Sequence, residues 1–382
     1  MTTRPLTKAV AVLLVGVTWL AALGLAATVC AEAYLRWQAH REVVRDHTVS
    51  PRSTAEADQC READTWYVHP HYLYFFPFTA AGRTAISNDA CGITPDGLRK
   101  PGPDARGDRR LAFLVGGSVA FSQSTSSDAT TITSALNRLQ DEYFFVTAGV
   151  SGWNSAQELS RLAFQLLDYQ PALIVTLDGA NDARIAEGLA HRGGDWIGAP
   201  ANFDVISDLV SRQQPLAALA GLRDALFPSL ALRWRMHLRA VELRARGPLK
   251  SHDMELAASR YVTHLVRMHD LTTASGGRFV AIFQPMVQLH HKQDVPIRDL
   301  DGLETFHAAA LRDMPAHLEF HDFGRLFDRL LPVVRIEEGD VTDETVFVDP
   351  VHLHDRGNAM LAQALWEALA GGRAEARPAG SR

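Results

Sequence analysis

At 382 residues the chain has room for one large α/β domain with appendages or for two ordinary domains. Hydrophobic residues at 47% and charged residues at 21% exclude a disordered chain, a collagen-like repeat and a multi-pass membrane protein. A net charge of −6 speaks against non-specific nucleic-acid binding, and three cysteines exclude a disulfide-built scaffold and a four-thiolate zinc site.

After a short tail (1–8), residues 9–31 form a 23-residue run without a charge. As a helix it is long enough to cross a hydrocarbon core of about 30 Å. Arg4 and Lys8 precede it, and it exceeds the roughly 7–15 apolar residues of a cleavable signal peptide, so the expectation is a single-pass transmembrane signal-anchor, with cleavage near the small residues Val29, Ala31 and Ala33 as the alternative. The flanking charges do not orient it: Arg4 and Lys8 lie on one side, Arg36, Arg41 and Arg45 on the other. The short tail suits a signal-anchor. Cys60 and Cys91, the pair outside the span, suit an oxidising compartment. The expectation is therefore an extracytoplasmic domain, periplasmic or extracellular, with a Cys60–Cys91 disulfide; two unrelated buried thiols are the alternative.

Residues 32–63 read as a polar stalk, and 64–109 as an aromatic-rich lead-in (Trp66, Tyr67, Tyr72, Tyr74, Phe75, Phe76, Phe78) packing on the main domain. From 110 to 370, short apolar runs alternate with helical periodicity. Leu111–Val115, Phe144–Ala148, Ala172–Leu177, Phe279–Phe283 and Leu318–His321 are the strand candidates. Helices are expected between them, one opening with a capping box from Ser155 to Glu158 and carrying Leu159, Leu162, Ala163 and Leu166 on one face. A last helix begins near Asp355, and 371–382 read as a loose tail. Such alternation predicts a three-layer α/β/α sandwich on a five-stranded parallel sheet of order 2-1-3-4-5. Residues 184–252, with a basic stretch from Arg233 to Lys250, read as a helical insertion between strands three and four.

Ligands of an open parallel sheet bind beyond the carboxyl ends of the strands. Gly116-Gly117-Ser118 follows strand one, Gly149-Val150-Ser151-Gly152 strand two and Gly179-Ala180-Asn181-Asp182 strand three; Asp349-Pro350-Val351-His352 comes late. Each piece alone is weak. Gly-Gly-Ser lacks both the third glycine of a dinucleotide fingerprint and the lysine of a P-loop, and Gly-x-Asn-Asp fits a plain turn. In this order the set resembles the SGNH/GDSL hydrolase family, over residues 110–182 and 278–370. The resemblance implies that Ser118 is the nucleophile, that Gly152 and Asn181 give oxyanion donors, and that Asp349 and His352 complete the site. Two positions depart from the family pattern: Gly117 stands where many members carry an acidic residue, and Thr147 where an asparagine is common.

The chemistry supports the same assignment. A serine hydroxyl needs an adjacent base, which His352 supplies, and Asp349 can hold the imidazole and stabilise its cation. The Ser118 and Gly152 N–H groups and the Asn181 amide would surround the oxyanion. Asp182 reads as ordering its loop. His290, His291 and His354 lack a carboxylate or thiolate at ligand spacing, so no metal and no cofactor is expected. The expected activity is a membrane-held esterase acting on an O-acyl ester, on a small molecule or an envelope or exported glycan. An O-acyltransferase on the same framework and a non-catalytic envelope binding protein are the alternatives.

Overall fold

The structure, a computed structural model, describes residues 16–19, 23–24, 26–35, 92–94, 96–102, 105–184, 186, 226, 251–292, 302–336 and 342–371, and the backbone of 66–68, 75–77, 86–87 and 372–376. The chain divides into two compact units, one of Met1–Thr48 with Ser207–Gly247, the other of Val49–Ile206 with Pro248–Arg382. The described residues of the first unit are helical, and none of the described helices is long and apolar enough to cross a membrane. Much of the expected span lies outside the described residues, as do Cys60, Cys91 and nearly all of the expected insertion.

In the second unit, β1 (Trp66–Val68) pairs antiparallel with β2 (Phe75–Pro77), and β3 (Ile86–Ser87) with β4 (Gly92–Ile93). The main sheet follows: β5 (Arg110–Gly116), β6 (Tyr143–Thr147), β7 (Leu173–Asp178), β8 (Arg278–Phe283) and β9 (Phe320–Asp322). All are parallel, in the order β6-β5-β7-β8-β9. This is the expected 2-1-3-4-5 arrangement. The central strand β7 is buried along its whole length, as a parallel strand covered on both faces must be. Arg99 bridges to Thr147, so the segment after β4 covers the free edge of β6. The fifth strand lies two residues later than expected because the Leu318 N–H is taken by Pro315 O in a turn.

The helices are α1 (Ser118–Phe121), α2 (Ile132–Leu139), α3 (Ser155–Phe164), α4 (Ser251–Ala274), α5 (Leu303–Asp313), α6 (Phe327–Leu330) and α7 (Asp355–Ala376). Alternate strand residues face opposite layers. Thr147 meets Thr133 of α2, and α2 packs on α7, which makes one layer. Phe283 meets Tyr261 of α4 and Phe306 of α5, and α3 packs on α4, which makes the other. The last helix runs to Ala376, so the first residues of the expected loose tail are helical.

Helix α3 starts one residue earlier in its capping than the sequence suggested. Asn154 is the N-cap, accepting from the N–H groups of Ala156 and Gln157, and Gln157 closes the capping box. The buried stripe is also rotated. Gln157, Glu158, Arg161 and Leu162 are buried, whereas Ala163 is exposed. Arg161 can face inward because it finds partners: its guanidinium donates to the carbonyls of Ala148, Asp96 and Gly97.

Candidate active site

The candidate nucleophile stands where β5 gives way to α1. Helix α1 is one turn long and closes at Ser122, whose φ of 57° is left-handed. A single turn contributes little stability of its own. Its carbonyl end is held from outside by Arg99, which is buried, donates to Phe121 O at 2.8 Å and Ser122 O at 3.0 Å, and pairs with Asp128 at 2.8 Å.

His352 arrives from the loop before α7. The spacing Asp-Pro-Val-His lets one carboxylate do two things. Asp349 Oδ1 accepts the N–H groups of Val351 and His352, both at 2.8 Å, which closes the turn. Asp349 Oδ2 takes the Nδ1–H of His352 at 2.5 Å. With that tautomer, Nε2 is free to accept, and Ser118 Oγ donates to it at 2.7 Å. Partial burial alone would raise the Asp349 pKa, but the His352 hydrogen bond and the two backbone donors outweigh it and hold the group at about 2. Asp349 is therefore anionic at any neutral pH.

The other two strand-end loops meet at Gly117. A Cβ built there would lie 2.4 Å from Asn181 Nδ2 and 3.1 Å from Trp153 O, so no larger residue fits without moving the amide. In this chain the space beside Ser118 belongs to the Asn181 amide. The amide donates one N–H to Trp153 O at 2.7 Å. Its second N–H has no acceptor among the described residues, and neither has the N–H of Gly152, whose φ of 80° favours glycine. The arrangement leaves donors unsatisfied next to a polarised serine.

Behind this loop lies a group that sequence reasoning read only in part. Asp182 orders the loop as expected, accepting the Ser155 hydroxyl at 2.5 Å and the Ser155 N–H at 3.2 Å. Ser155 Oγ also sits 2.9 Å from His264 Nδ1. Glu158 and Asp178 are buried beside it, and neither has a hydrogen bond of good geometry. Burial, and then the charge of Asp178, raise the pKa of Asp182 to about 7 and of Glu158 well above the usual range; burial raises Asp178 to about 6. Acids whose folded pKa exceeds the unfolded value hold protons on folding, so stability falls as pH rises from about 4 through those values. Glu158→Gln should raise the melting temperature at pH 8 by about 3 °C, the size of a ~1 kcal/mol effect in a domain of this size, and leave it nearly unchanged at pH 5. Equal changes at both pH values would show that Glu158 is not a proton-linked group.

Among the described residues no cluster of histidine, cysteine and acidic side chains could hold a metal. His290 is structural: its Nδ1 donates to Met286 O at 2.7 Å and its Nε2 accepts the Phe327 N–H at 3.1 Å.

No family model and no curated protein matches the sequence. Solved structures are similar in fold. The chain is similar to a crystal structure of TesA, at 15% identity over 69% of this chain and 99% of that one, with a TM-score of 0.37. It is similar to an acetyl xylan esterase, AlAXEase, at 14% identity over 68% and 99%, with a TM-score of 0.38. It is also similar to a lipase/acylhydrolase from Enterococcus faecalis, at 14% identity over 69% and 96%, with a TM-score of 0.37.

Proposed function

We propose that this chain is a serine hydrolase of the SGNH/GDSL kind that cleaves O-acyl esters. The observation that carries the reading is the unbroken line from Ser118 Oγ through the His352 imidazole to Asp349, with hydrogen bonds of 2.7 and 2.5 Å. Ser118 Oγ attacks the ester carbonyl while its proton passes to His352 Nε2. The imidazolium so formed is stabilised by Asp349, which stays ionised. The oxyanion is met by the N–H groups of Ser118 and Gly152 and by the free N–H of Asn181. His352 returns its proton to the leaving alcohol. Water, activated by the same imidazole, then releases the acid and restores Ser118.

The substrate class we assign is an acylated glycan of the cell envelope or an acylated small molecule. The uncharged run 9–31 supports it, since an anchor there would keep the hydrolase at a membrane, with residues 32–382 outside the cytoplasm. Incubating the full-length protein with a short-chain aryl acetate and with an O-acetylated glycan tests the activity: acetate should be released from both and lost with Ser118→Ala. No release from either contradicts the reading, and transfer of the acetyl group to an added sugar in place of release would make the protein an acyltransferase. A reporter joined after Arg382 that is active only in the cytoplasm would overturn the orientation.

A further inference from the structure

The nucleophile and its base lie 234 residues apart in sequence, on segments joined across the site by the hydrogen bond from Ser118 Oγ to His352 Nε2. That bond cannot hold the two segments in register, because its proton moves during every turnover. A second connection lies three residues beyond His352. Asp355, the first residue of α7, accepts the Thr125 hydroxyl at 2.8 Å and the Ser126 N–H at 2.9 Å on Oδ1, and the Ser126 hydroxyl on Oδ2. Thr125 is buried, and it belongs to the loop that leaves α1 directly after the left-handed Ser122. Asn358, one turn further along α7, donates to Thr130 O at 3.2 Å on the same loop.

We infer that Asp355 is a positioning residue, a tether that fixes the distance between Ser118 and His352 while the proton between them is in motion. The inference rests on the hydrolase reading above. Asp355 touches neither Ser118 nor His352; it acts through the backbone of the two segments that carry them. Its three donors all come from the nucleophile's loop, so its loss would release that loop rather than unfold α7, which packs on α2 and buries Leu361 and Leu365 in the core.

The test compares wild type with Asp355→Ala, Asp355→Asn and Thr125→Val, each in the full chain, reading kcat and KM on an aryl acetate and the rate of labelling by a fluorophosphonate. Asp355→Ala should lower kcat and the labelling rate together by on the order of 10²-fold with KM unchanged, the size of effect expected when a reacting pair is displaced by about 1 Å. Asp355→Asn, which keeps an acceptor for the backbone N–H, should recover part of the loss. Thr125→Val should lose activity to a smaller extent, and the Thr125→Val change should cost nothing further once Asp355 is alanine. Should Asp355→Ala fail to fold, Thr125→Val and Asp355→Asn decide alone. A wild-type protein that labels and hydrolyses, beside variants that do so at the same rate per folded molecule, overturns the tether and leaves the hydrolase reading standing. A wild type that does neither overturns the hydrolase reading, and the inference with it.

Discussion

Ser118→Ala and His352→Ala should each abolish ester cleavage, with losses in kcat on the order of 10⁵–10⁶-fold and little change in melting temperature. The two substitutions should be no worse together than singly, because they disable one hydrogen-bonded unit. Neither side chain is part of the core, so the fold should tolerate both. Asp349→Asn should differ from them. The amide can still occupy the turn, but it lacks the charge that stabilises the imidazolium and can present an N–H to Nδ1, favouring the wrong tautomer. A loss of about 10⁴-fold is expected, with measurable residual activity. Because Asp349 titrates at about 2, its own protonation should not appear in a pH–rate profile measured between pH 4 and 9. Steady-state rates of the three purified variants, with melting curves alongside, check this. Full activity in Ser118→Ala would move the nucleophile elsewhere.

The second large effect is expected at Asn181. Its amide is already fixed by Trp153 O and confined by Gly117, so no reorganisation is needed when the oxyanion forms. Preorganised donors of this kind act mainly on the transition state. Asn181→Ala should therefore lower kcat by on the order of 10²–10³-fold and change KM little. Gly117→Ala should give a similar loss by a different route, since its Cβ would meet Asn181 Nδ2 at 2.4 Å. A turn residue without a chemical role would behave differently: its loss would lower the melting temperature and spare turnover in the folded fraction. Measuring kcat and melting temperature on one sample of Asn181→Ala separates the two.

The parallel sheet was legible because each strand is a short apolar run and each strand end carries small residues. Ser118, Gly152, Asn181, Asp349 and His352 could be singled out as candidates because small and polar residues stand at the strand ends and because their order along the chain resembles that of the SGNH/GDSL hydrolases. What failed were features that depend on contacts distant in sequence. Ser155 looked like an N-cap, but its hydroxyl is drawn to Asp182 and His264, and Asn154 caps the helix instead. Glu158 read as the partner in the capping box and is instead buried beside Asp178, a residue on a different element. The periodicity of α3 pointed to Ala163 as buried, but the inward face includes Gln157, Glu158 and Arg161, and the carbonyls that receive Arg161 lie on other segments, where no local pattern reveals them. The contacts of Arg99 and Asp355 with the loop after Ser118 carry no local signal; they exist only once that loop is folded between them.

The central claim is that Ser118 is a nucleophile activated by His352. Labelling the full-length protein with a fluorophosphonate and mapping the modified peptide by mass spectrometry tests it most directly. The account predicts one adduct, on the peptide containing Ser118, formed in wild type and absent in His352→Ala. An adduct on any other serine, or labelling of Ser118 at an undiminished rate without His352, would contradict it.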